Sequence, residues 1–520
     1  MNTLHDQHVL ILGLGASGLA MARWCVRCGA QVTLADTRSA PPRLAALQAE
    51  LPAVRFIGGP LDASLVEGAG LHAVFKSPGL TPLEVQALAA AARAVGIPVL
   101  GELALFARAL AELRATRDYA PKVLAVTGTN GKTTVTALTG QLVERAGKRV
   151  LVAGNIGPTL LDTLSAALDA DALPEVWVLE LSSFQLDADN GFEPSAGTVL
   201  NITQDHLDWH ASMAAYVAAK ARVFGRHALM LLNRDDPAVT ALLNRPLPEA
   251  PAPTSRSARV KLIKAQRPVI RAHVTFGSDL PARPGDFGLE EVNGMVWLVR
   301  ALEADETIKK RNNTQETEVF IQRLMPADAL RIRGRHNALN ALAALALACA
   351  ADCALGPVLY GLREYRGEPH RVEPVGSINE VEFFDDSKGT NVGATVAALN
   401  GLGSERKLVV ILGGEGKGQD FSPLAQPVSR HARGVVLIGR DAPLIRAALQ
   451  DGGVTLVDAA SMAQAVVAAC ELAQAGDAVL MSPACASFDM FDNYEHRSQV
   501  FVQAVRDAAI AAGQTLEGSP

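Results

Sequence analysis

The stretch from Val123 to Thr134, VLAVTGTNGKTT, leaves this chain few folds to choose from. Val123, Leu124, Ala125 and Val126 make the short apolar run of a buried parallel strand, and Val135 to Arg145 reads as a helix. Between them lies a glycine loop, Thr127-Gly128-Thr129-Asn130-Gly131-Lys132-Thr133-Thr134. Strand, loop and helix in that order aim backbone N–H groups and a helix N-terminus at one point, which suits a phosphate. Lys132 is placed to reach the terminal phosphates, and the Thr133 hydroxyl to sit on Mg²⁺. Val126 stands where the common G-x-x-x-x-G-K-[ST] pattern has its first glycine, so the loop is a variant of that pattern.

A second glycine loop opens the chain. His8 to Leu12 is an apolar strand, followed by Gly13-Leu14-Gly15-Ala16-Ser17-Gly18 and a helix through Met21 and Trp24. The next strand, Gln31 to Ala35, runs into Asp36-Thr37-Arg38, an acidic residue about where a ribose contact belongs. Taken alone this suggests an NAD-dependent oxidoreductase. A further strand ends at Lys76-Ser77-Pro78-Gly79, however, and the phosphate loop follows only some fifty residues later. That leaves too little chain for the usual dehydrogenase arrangement. A half-Rossmann unit gripping a nucleotide-linked substrate fits better.

Downstream of the phosphate loop, polar clusters recur at strand ends, where open α/β sheets place their ligands. They are Gly154-Asn155-Ile156-Gly157, Glu180-Leu181-Ser182-Ser183-Phe184-Gln185 and Asn201 to Asp208. Glu180 is a candidate Mg²⁺ carboxylate, against the alternative of a capping or solvated glutamate. His206 is a candidate second metal ligand, and Lys220, by spacing alone, is a surface lysine on a helix. Asn337 is expected at a helix cap with Asn340 one turn inside. Asn244 to Pro253 and Arg300 to Gln322 read as parts of a loop-rich insertion near 244–322. From about Pro369, strands and helices alternate again, and Asp386, Ser387, Lys388, Thr390 and Asn391 crowd one turn.

Composition sets the outer limits. A chain of 520 residues is long enough for about three domains, and 49% hydrophobic content with 20% charged supports packed cores. The net charge of -6, with no basic block, argues against nucleic acid as a partner. Six cysteines make no disulfide framework, and Cys25 and Cys28 read as helix packing. Leu339 to Leu355 is the nearest approach to a membrane span, but Asp352 interrupts it, so no membrane insertion is expected. The expectation is a soluble cytoplasmic monomer.

The blocks GTNGKTT, GNIG, LELSSFQL, DHLD, YVAAK, GRHNALNALAA, PHRVE, DDSKGTN, GGEGKGQDF and SPACASFDMF, in this order, resemble the Mur ligase family. The resemblance spans nearly the whole chain outside the insertion. LSSFQL, DDSKGTN and SPACASFD are most similar to the branch of the family that adds D-glutamate. It implies three doubly wound α/β domains: 1–104 for a UDP-linked substrate, a P-loop-type 105–368 for ATP, and 369–520 for the amino acid. It implies that ATP phosphorylates the carboxylate of UDP-N-acetylmuramoyl-L-alanine and that the amine of D-glutamate attacks the acyl phosphate, in peptidoglycan precursor synthesis.

Carried onto this chain, the resemblance gives the catalytic set Lys132, Glu180, His206, Lys220 and Lys388. Gly128, Thr129, Asn130, Gly131, Lys132, Thr133, Thr134, Asn337, Arg371 and Asp386 would hold ATP. Thr133 and Glu180 would hold one Mg²⁺, and His206 with a carbamylated Lys220 a second. Ser17, Asp36, Thr37, Arg38 and Gly79 would face the UDP portion, and Asn155 the muramoyl portion, with Ser182 and His370 also on substrate. Lys417, Ser487, Phe488 and Tyr494 would form the amino-acid pocket. Phe488 stands where a leucine is familiar and Tyr494 where a phenylalanine is; both keep apolar bulk, so pocket shape is expected to change more than chemistry. Two rivals stay open: a Mur ligase for another amino acid, and a nucleotide-gated binding protein with slow ATPase activity.

Overall fold

Three sheets follow one another along the chain. The computed structural model describes residues 4–187, 191–244, 271–304, 318–404 and 406–516. The first sheet holds β1 (His8–Leu12), β2 (Gln31–Asp36), β3 (Arg55–Gly58), β4 (Ala73–Lys76) and β5 (Val99–Leu100), all parallel, in the order β3-β2-β1-β4-β5. Strand order reverses between β1 and β4, so a crevice opens beyond their carboxyl ends. Gly13 and Ser77 meet there, the Ser77 hydroxyl donating to Gly13 O at 2.8 Å. A Cβ on Gly18 would lie 1.9 Å from Gly13 O, so only glycine lets the helix Ala16–Arg27 start this close to the strand end. Cys25 and Cys28 are buried free thiols at the end of that helix.

The second sheet is built from β6 (Lys122–Thr127), β7 (Val150–Gly154), β8 (Val176–Glu180), β9 (Ala196–Val199), β10 (Leu229–Asn233), β11 (His273–Phe276), β12 (Phe287–Val292), β13 (Met295–Glu303) and β14 (Val319–Pro326). Its order is β14-β13-β12-β11-β10-β9-β6-β8-β7. The strands from β7 to β12 are parallel, while β12, β13 and β14 are antiparallel neighbours. This corrects the loop-rich reading of the 244–322 region, since β11, β12, β13 and the start of β14 lie inside it. Among the described residues of that stretch, Arg300 of β13 donates to Gln322 Oε1 of β14 at 2.9 Å, a cross-strand pair; just beyond it Arg323 of β14 donates to Glu290 Oε2 of β12 at 2.7 Å. Residues 245–270 and 305–317, with the proline-rich part of that region, lie outside the described residues.

The apolar run from Leu339 is a core helix, Arg335–Ala350, packed over β9 to β12 and the helix Lys132–Arg145. Its alanines allow close approach, and Leu342, Leu345 and Leu347 are fully buried, each contributing roughly 2 kcal/mol. Among the described residues no helix is long and apolar enough to cross a membrane. The expected cap at Asn337 is corrected: the helix starts two residues earlier, with Gly334 as its cap, and Asn337 instead donates to Arg333 O at 2.8 Å. The other face of the central sheet shares a core with the first sheet, where Phe106 stands edge-on to Trp177 at 5.1 Å.

The third sheet comprises β15 (Glu373–Ile378), β16 (Val381–Asp385), β17 (Leu408–Gly413), β18 (Ala432–Ile438), β19 (Thr455–Asp458) and β20 (Ala478–Met481), in the order β15-β16-β20-β17-β18-β19. Only β15, at the edge, runs antiparallel. The carboxyl ends of β16 and β20 carry the Asp386–Asn391 turn and the Ser482–Ser487 loop.

Candidate active site

The phosphate loop is fastened to the strand end beside it. Asn130 N–H donates to Asn201 Oδ1 at 2.8 Å, Asn201 Nδ2 donates back to Asn130 O at 3.1 Å, and Thr129 N–H donates to Asn201 O at 2.9 Å. Gly131 caps the following helix at φ 81°, and a Cβ there would press Asn340 Oδ1 at 2.7 Å. The helix begins at Lys132, three residues before the expected start, so the N–H groups of its first turn belong to the loop's own residues. Lys132 curls back to donate to Gly128 O at 3.0 Å and Thr129 O at 2.8 Å. Burial lowers its pKa, against the opposing pull of Glu180 and Asp205.

Lys220 is not at the surface. It is 1% exposed, its ammonium donates to Gly128 O at 2.7 Å and it lies 4.5 Å from the centre of the Tyr216 ring. The helix Met213–Ala221 turns Tyr216, Ala219 and Lys220 inward, which corrects the reading of Lys220 from spacing alone. Burial, then the neighbouring Lys132 cation, hold the Lys220 pKa well below the usual lysine range, with Asp205 opposing. Glu180 is likewise buried, at the last position of β8, and its Oε1 accepts from Asn155 Nδ2 at 3.1 Å, so it is neither a helix cap nor a solvated glutamate. His206 caps the short turn Leu207–His210 and packs edge-on to Phe184 at 4.7 Å; burial lowers its pKa.

The third sheet supplies the opposite wall. Arg371 Nη2 donates to Thr133 Oγ1 at 2.7 Å, and Asn391 exchanges amide hydrogen bonds with Asn130 at 3.2 and 3.0 Å while capping the helix Val392–Leu402. Asp386 is buried, accepts from Ser482 Oγ at 2.6 Å, and is pushed up to about 7 by burial. His370 Nδ1 sits 2.8 Å from Asp385 Oδ2, which raises the histidine pKa. Lys388 donates to the Tyr494 hydroxyl at 2.7 Å; burial lowers its pKa. Four non-glycine residues here, His206, His370, Val372 and Lys417, are left-handed with φ of 54°, 63°, 52° and 52°. Each such conformation costs of order 1 kcal/mol or more and persists where the surroundings enforce it.

These walls enclose a cavity of about 480 Å³ lined by Thr129, Asn130, Lys132, Thr133, Asn155, Glu180, His206, Arg371, Lys388, Lys417 and Tyr494. A second cavity of about 120 Å³ adjoins it through Asn130 and Arg371 and is lined also by Gly131, Thr134, Asn337 and Asp386. Gly128, Ser182, Lys220, His370 and Ser487 do not line either cavity, and Phe488 is 66% exposed. Tyr494 brings a hydroxyl where a phenylalanine would have none, and it meets Lys388.

The N-terminal residues gather separately at the crevice of the first sheet. Asp36 is 2% exposed; its Oδ2 accepts from Leu14 N–H at 2.7 Å and from Arg38 Nη2 at 2.8 Å, and its Oδ1 from Arg38 N–H and Nε at 2.9 and 2.8 Å. The guanidinium contact first, with the two backbone N–H donors, holds its pKa down to about 2. Thr37, Arg38 and Gly79 are exposed at the crevice, and Ser17 bonds to the buried Glu102, which also accepts from Leu161 N–H at 3.1 Å.

Sequence reasoning placed Asn201 in a strand-end cluster but gave it no role, where it fastens the phosphate loop, and it missed Arg497, which is fully buried and donates to Ser387 O at 2.7 Å, Ser387 Oγ at 3.0 Å and Cys485 O at 3.0 Å. An arginine on an amphipathic helix gives no sign in sequence that it faces inward.

Comparison with known proteins gives this geometry a lineage. Residues 7–101 match "Mur ligase MurD-like, N-terminal domain", 126–258 "Mur ligase middle domain" and 370–485 "Mur ligase, glutamate ligase domain". A protein of Albidiferax ferrireducens named UDP-N-acetylmuramoylalanine--D-glutamate ligase is 73% identical over 519 residues, covering 100% of both chains. One of that name from Cupriavidus pinatubonensis is 57% identical, covering 98% of this chain and 99% of its own. In fold, the chain is similar to MurF ligase from Thermotoga maritima in complex with ADP, with a TM-score of 0.54 at 15% identity, covering 98% of this chain and 97% of that one. UDP-N-acetylmuramate-alanine ligase from the same organism gives a TM-score of 0.52 at 19% identity, covering 97% and 100%. With three family domains in order and relatives of this identity over its full length, the chain belongs to the Mur ligase family.

Proposed function

We propose that this chain joins D-glutamate to UDP-N-acetylmuramoyl-L-alanine, with ATP as phosphoryl donor, in peptidoglycan precursor synthesis. The observation that carries the reading is the shared cavity: Lys132, Thr133 and Glu180 of the second sheet's unit face Arg371, Lys388 and Lys417 of the third. The full-length relatives carry this activity in their names.

A carboxylate is a poor electrophile at neutral pH, and phosphorylation gives it a leaving group. The carboxylate oxygen of the UDP-linked substrate attacks the γ-phosphorus of ATP and ADP departs. The amine of D-glutamate then attacks the carbonyl carbon, and the tetrahedral adduct expels phosphate and leaves an amide. Negative charge accumulates on the phosphoryl oxygens, where Lys132, Arg371 and Lys388 offset it. The adenosine would extend into the smaller cavity, beside Asn337 and Asp386.

The donor set suits Mg²⁺ at Thr133 and Glu180, a hydroxyl and a carboxylate, since this ion prefers oxygen ligands with retained water. Bound there it would neutralise phosphate charge. The second set, His206 with Lys220, fits only after Lys220 is carbamylated, because an ammonium ligates nothing. The depressed Lys220 pKa favours the neutral amine that adds CO₂.

The first sheet's crevice takes the UDP portion, with Arg38 and Thr37 on the nucleotide. Both Asp36 oxygens already accept hydrogen bonds from the chain itself, so Asp36 orients Leu14 and Arg38, and a dinucleotide ribose finds no free carboxylate here. We assign 1–104, 105–368 and 369–520 to these three tasks. Phosphate release assayed with UDP-N-acetylmuramoyl-L-alanine and a panel of L- and D-amino acids tests the reading. Release only when the UDP-linked substrate and D-glutamate are both present supports it; equal release with ATP alone supports the slow-ATPase rival instead.

A further inference from the structure

We propose that the Tyr494 hydroxyl is a positioning group for Lys388, fixing the ammonium where it meets the phosphoryl group being transferred. Lysine carries a cation on four rotatable bonds, and a cation that wanders by an ångström loses much of its effect on a transition state. Here the Lys388 ammonium donates to Tyr494 Oη at 2.7 Å and lies 4.1 Å from the centre of the same ring. The tyrosine therefore holds the cation through its oxygen, at the edge of the ring.

The two residues come from distant parts of the chain, and the structure clamps them together. Lys388 sits in the turn after β16, while Tyr494 opens the helix Tyr494–Ala511. The Ser387 hydroxyl, next to Lys388, donates to Tyr494 O at 2.8 Å. Arg497, one turn along that helix and fully buried, grips Ser387 through both its carbonyl and its hydroxyl. Asn493 caps the helix, its side chain accepting from His496 N–H at 2.7 Å. Both side chains line the large cavity with Lys132 and Glu180, so the pair faces the space where phosphate charge develops. The hydroxyl stays protonated at neutral pH, since burial pushes its pKa up to about 12, and a neutral oxygen accepts from the ammonium without cancelling its charge.

The inference rests on the ligase reading above, and Tyr494→Phe tests it: the variant keeps the ring and removes only the hydroxyl and its hydrogen bond. Steady-state ligation with D-glutamate is measured for both chains. A fall in kcat of about tenfold, with the D-glutamate KM held within about twofold, is the expected result for a lost bond to a charged group that acts in the transition state. A kcat unchanged within about twofold, or a rise in D-glutamate KM of about fivefold or more, overturns the inference, the second because the hydroxyl would then serve the amino acid. No ligation by the unsubstituted chain would overturn the ligase reading and this inference together, so the two failures are distinguishable.

Discussion

The chain contains two strand–glycine loop–helix units, and they differ in what they do with charge. In the first, after β1, the loop's Leu14 N–H is taken by Asp36, and a nearby cation, Arg38, is tied to that same carboxylate at the protein surface. In the second, after β6, two lysines are packed against the loop itself, both donating to Gly128 O, and both with pKa values lowered by burial. The first arrangement is self-satisfied and suits a ligand that is held unchanged. The second sets the Lys132 cation in a desolvated place, where it does more for developing negative charge, and packs the Lys220 amine beside it. The glycine pattern alone says phosphate; the charges around it separate holding from transfer.

Substitutions that strike the second loop should therefore damage turnover most. Lys132→Ala should lower kcat by roughly 10³-fold while the KM for the UDP-linked substrate stays near its usual value, as read by phosphate release. Lys220→Ala and Lys220→Arg should both lose roughly 10²-fold or more, because arginine keeps a cation and forms no such carbamate. Full activity in the arginine variant would remove the carbamate from the account.

The first loop should respond in binding. Arg38→Ala should raise the KM for the UDP-linked substrate roughly tenfold and leave that for ATP alone, since a bidentate or charge-assisted contact is worth about 1–3 kcal/mol. Tight NADH binding at that loop would contradict its assignment. Its own stability should depend on pH through Asp36. The folded pKa, about 2, lies below the ordinary aspartate value of 3.8. The contribution is therefore fully present above about pH 4 and is lost as pH falls through 2. Allowing for solvent screening at the half-exposed Arg38, it amounts to about 1–2 kcal/mol. Comparing Asp36→Asn with the parent by denaturant melts at pH 7 and at pH 2.5 checks this: the difference should shrink at the lower pH. The smallest effect is expected between units. Asn391→Ala removes the amide exchange with Asn130, so it should shift scattering toward an open form and leave each unit folded.

Much of this was legible in sequence, because strand ends and glycine loops carry local signals. β1, β20 and the polar turns after β6, β8 and β16 follow from short apolar runs meeting polar clusters. What stayed hidden depends on neighbours distant in the chain. Lys220 reads as solvated until Gly128 and Tyr216 close over it. Asp36 reads as a ribose ligand until Leu14 and Arg38 take its oxygens. The antiparallel β13 and β14 were hidden because polar residues such as Arg300 and Gln322 find their partners only across the sheet. Tyr494 reads as bulk, and only the fold brings its hydroxyl to Lys388.

The most direct measurement follows an oxygen atom. UDP-N-acetylmuramoyl-L-alanine is prepared with ¹⁸O in the free carboxylate and turned over with ATP and D-glutamate in unlabelled water, and the released phosphate is analysed by mass spectrometry. If the second loop transfers a phosphoryl group to that carboxylate, each phosphate carries one ¹⁸O from the substrate. Phosphate whose fourth oxygen comes only from water would mean that ATP is hydrolysed beside the substrate and would contradict transfer at that loop.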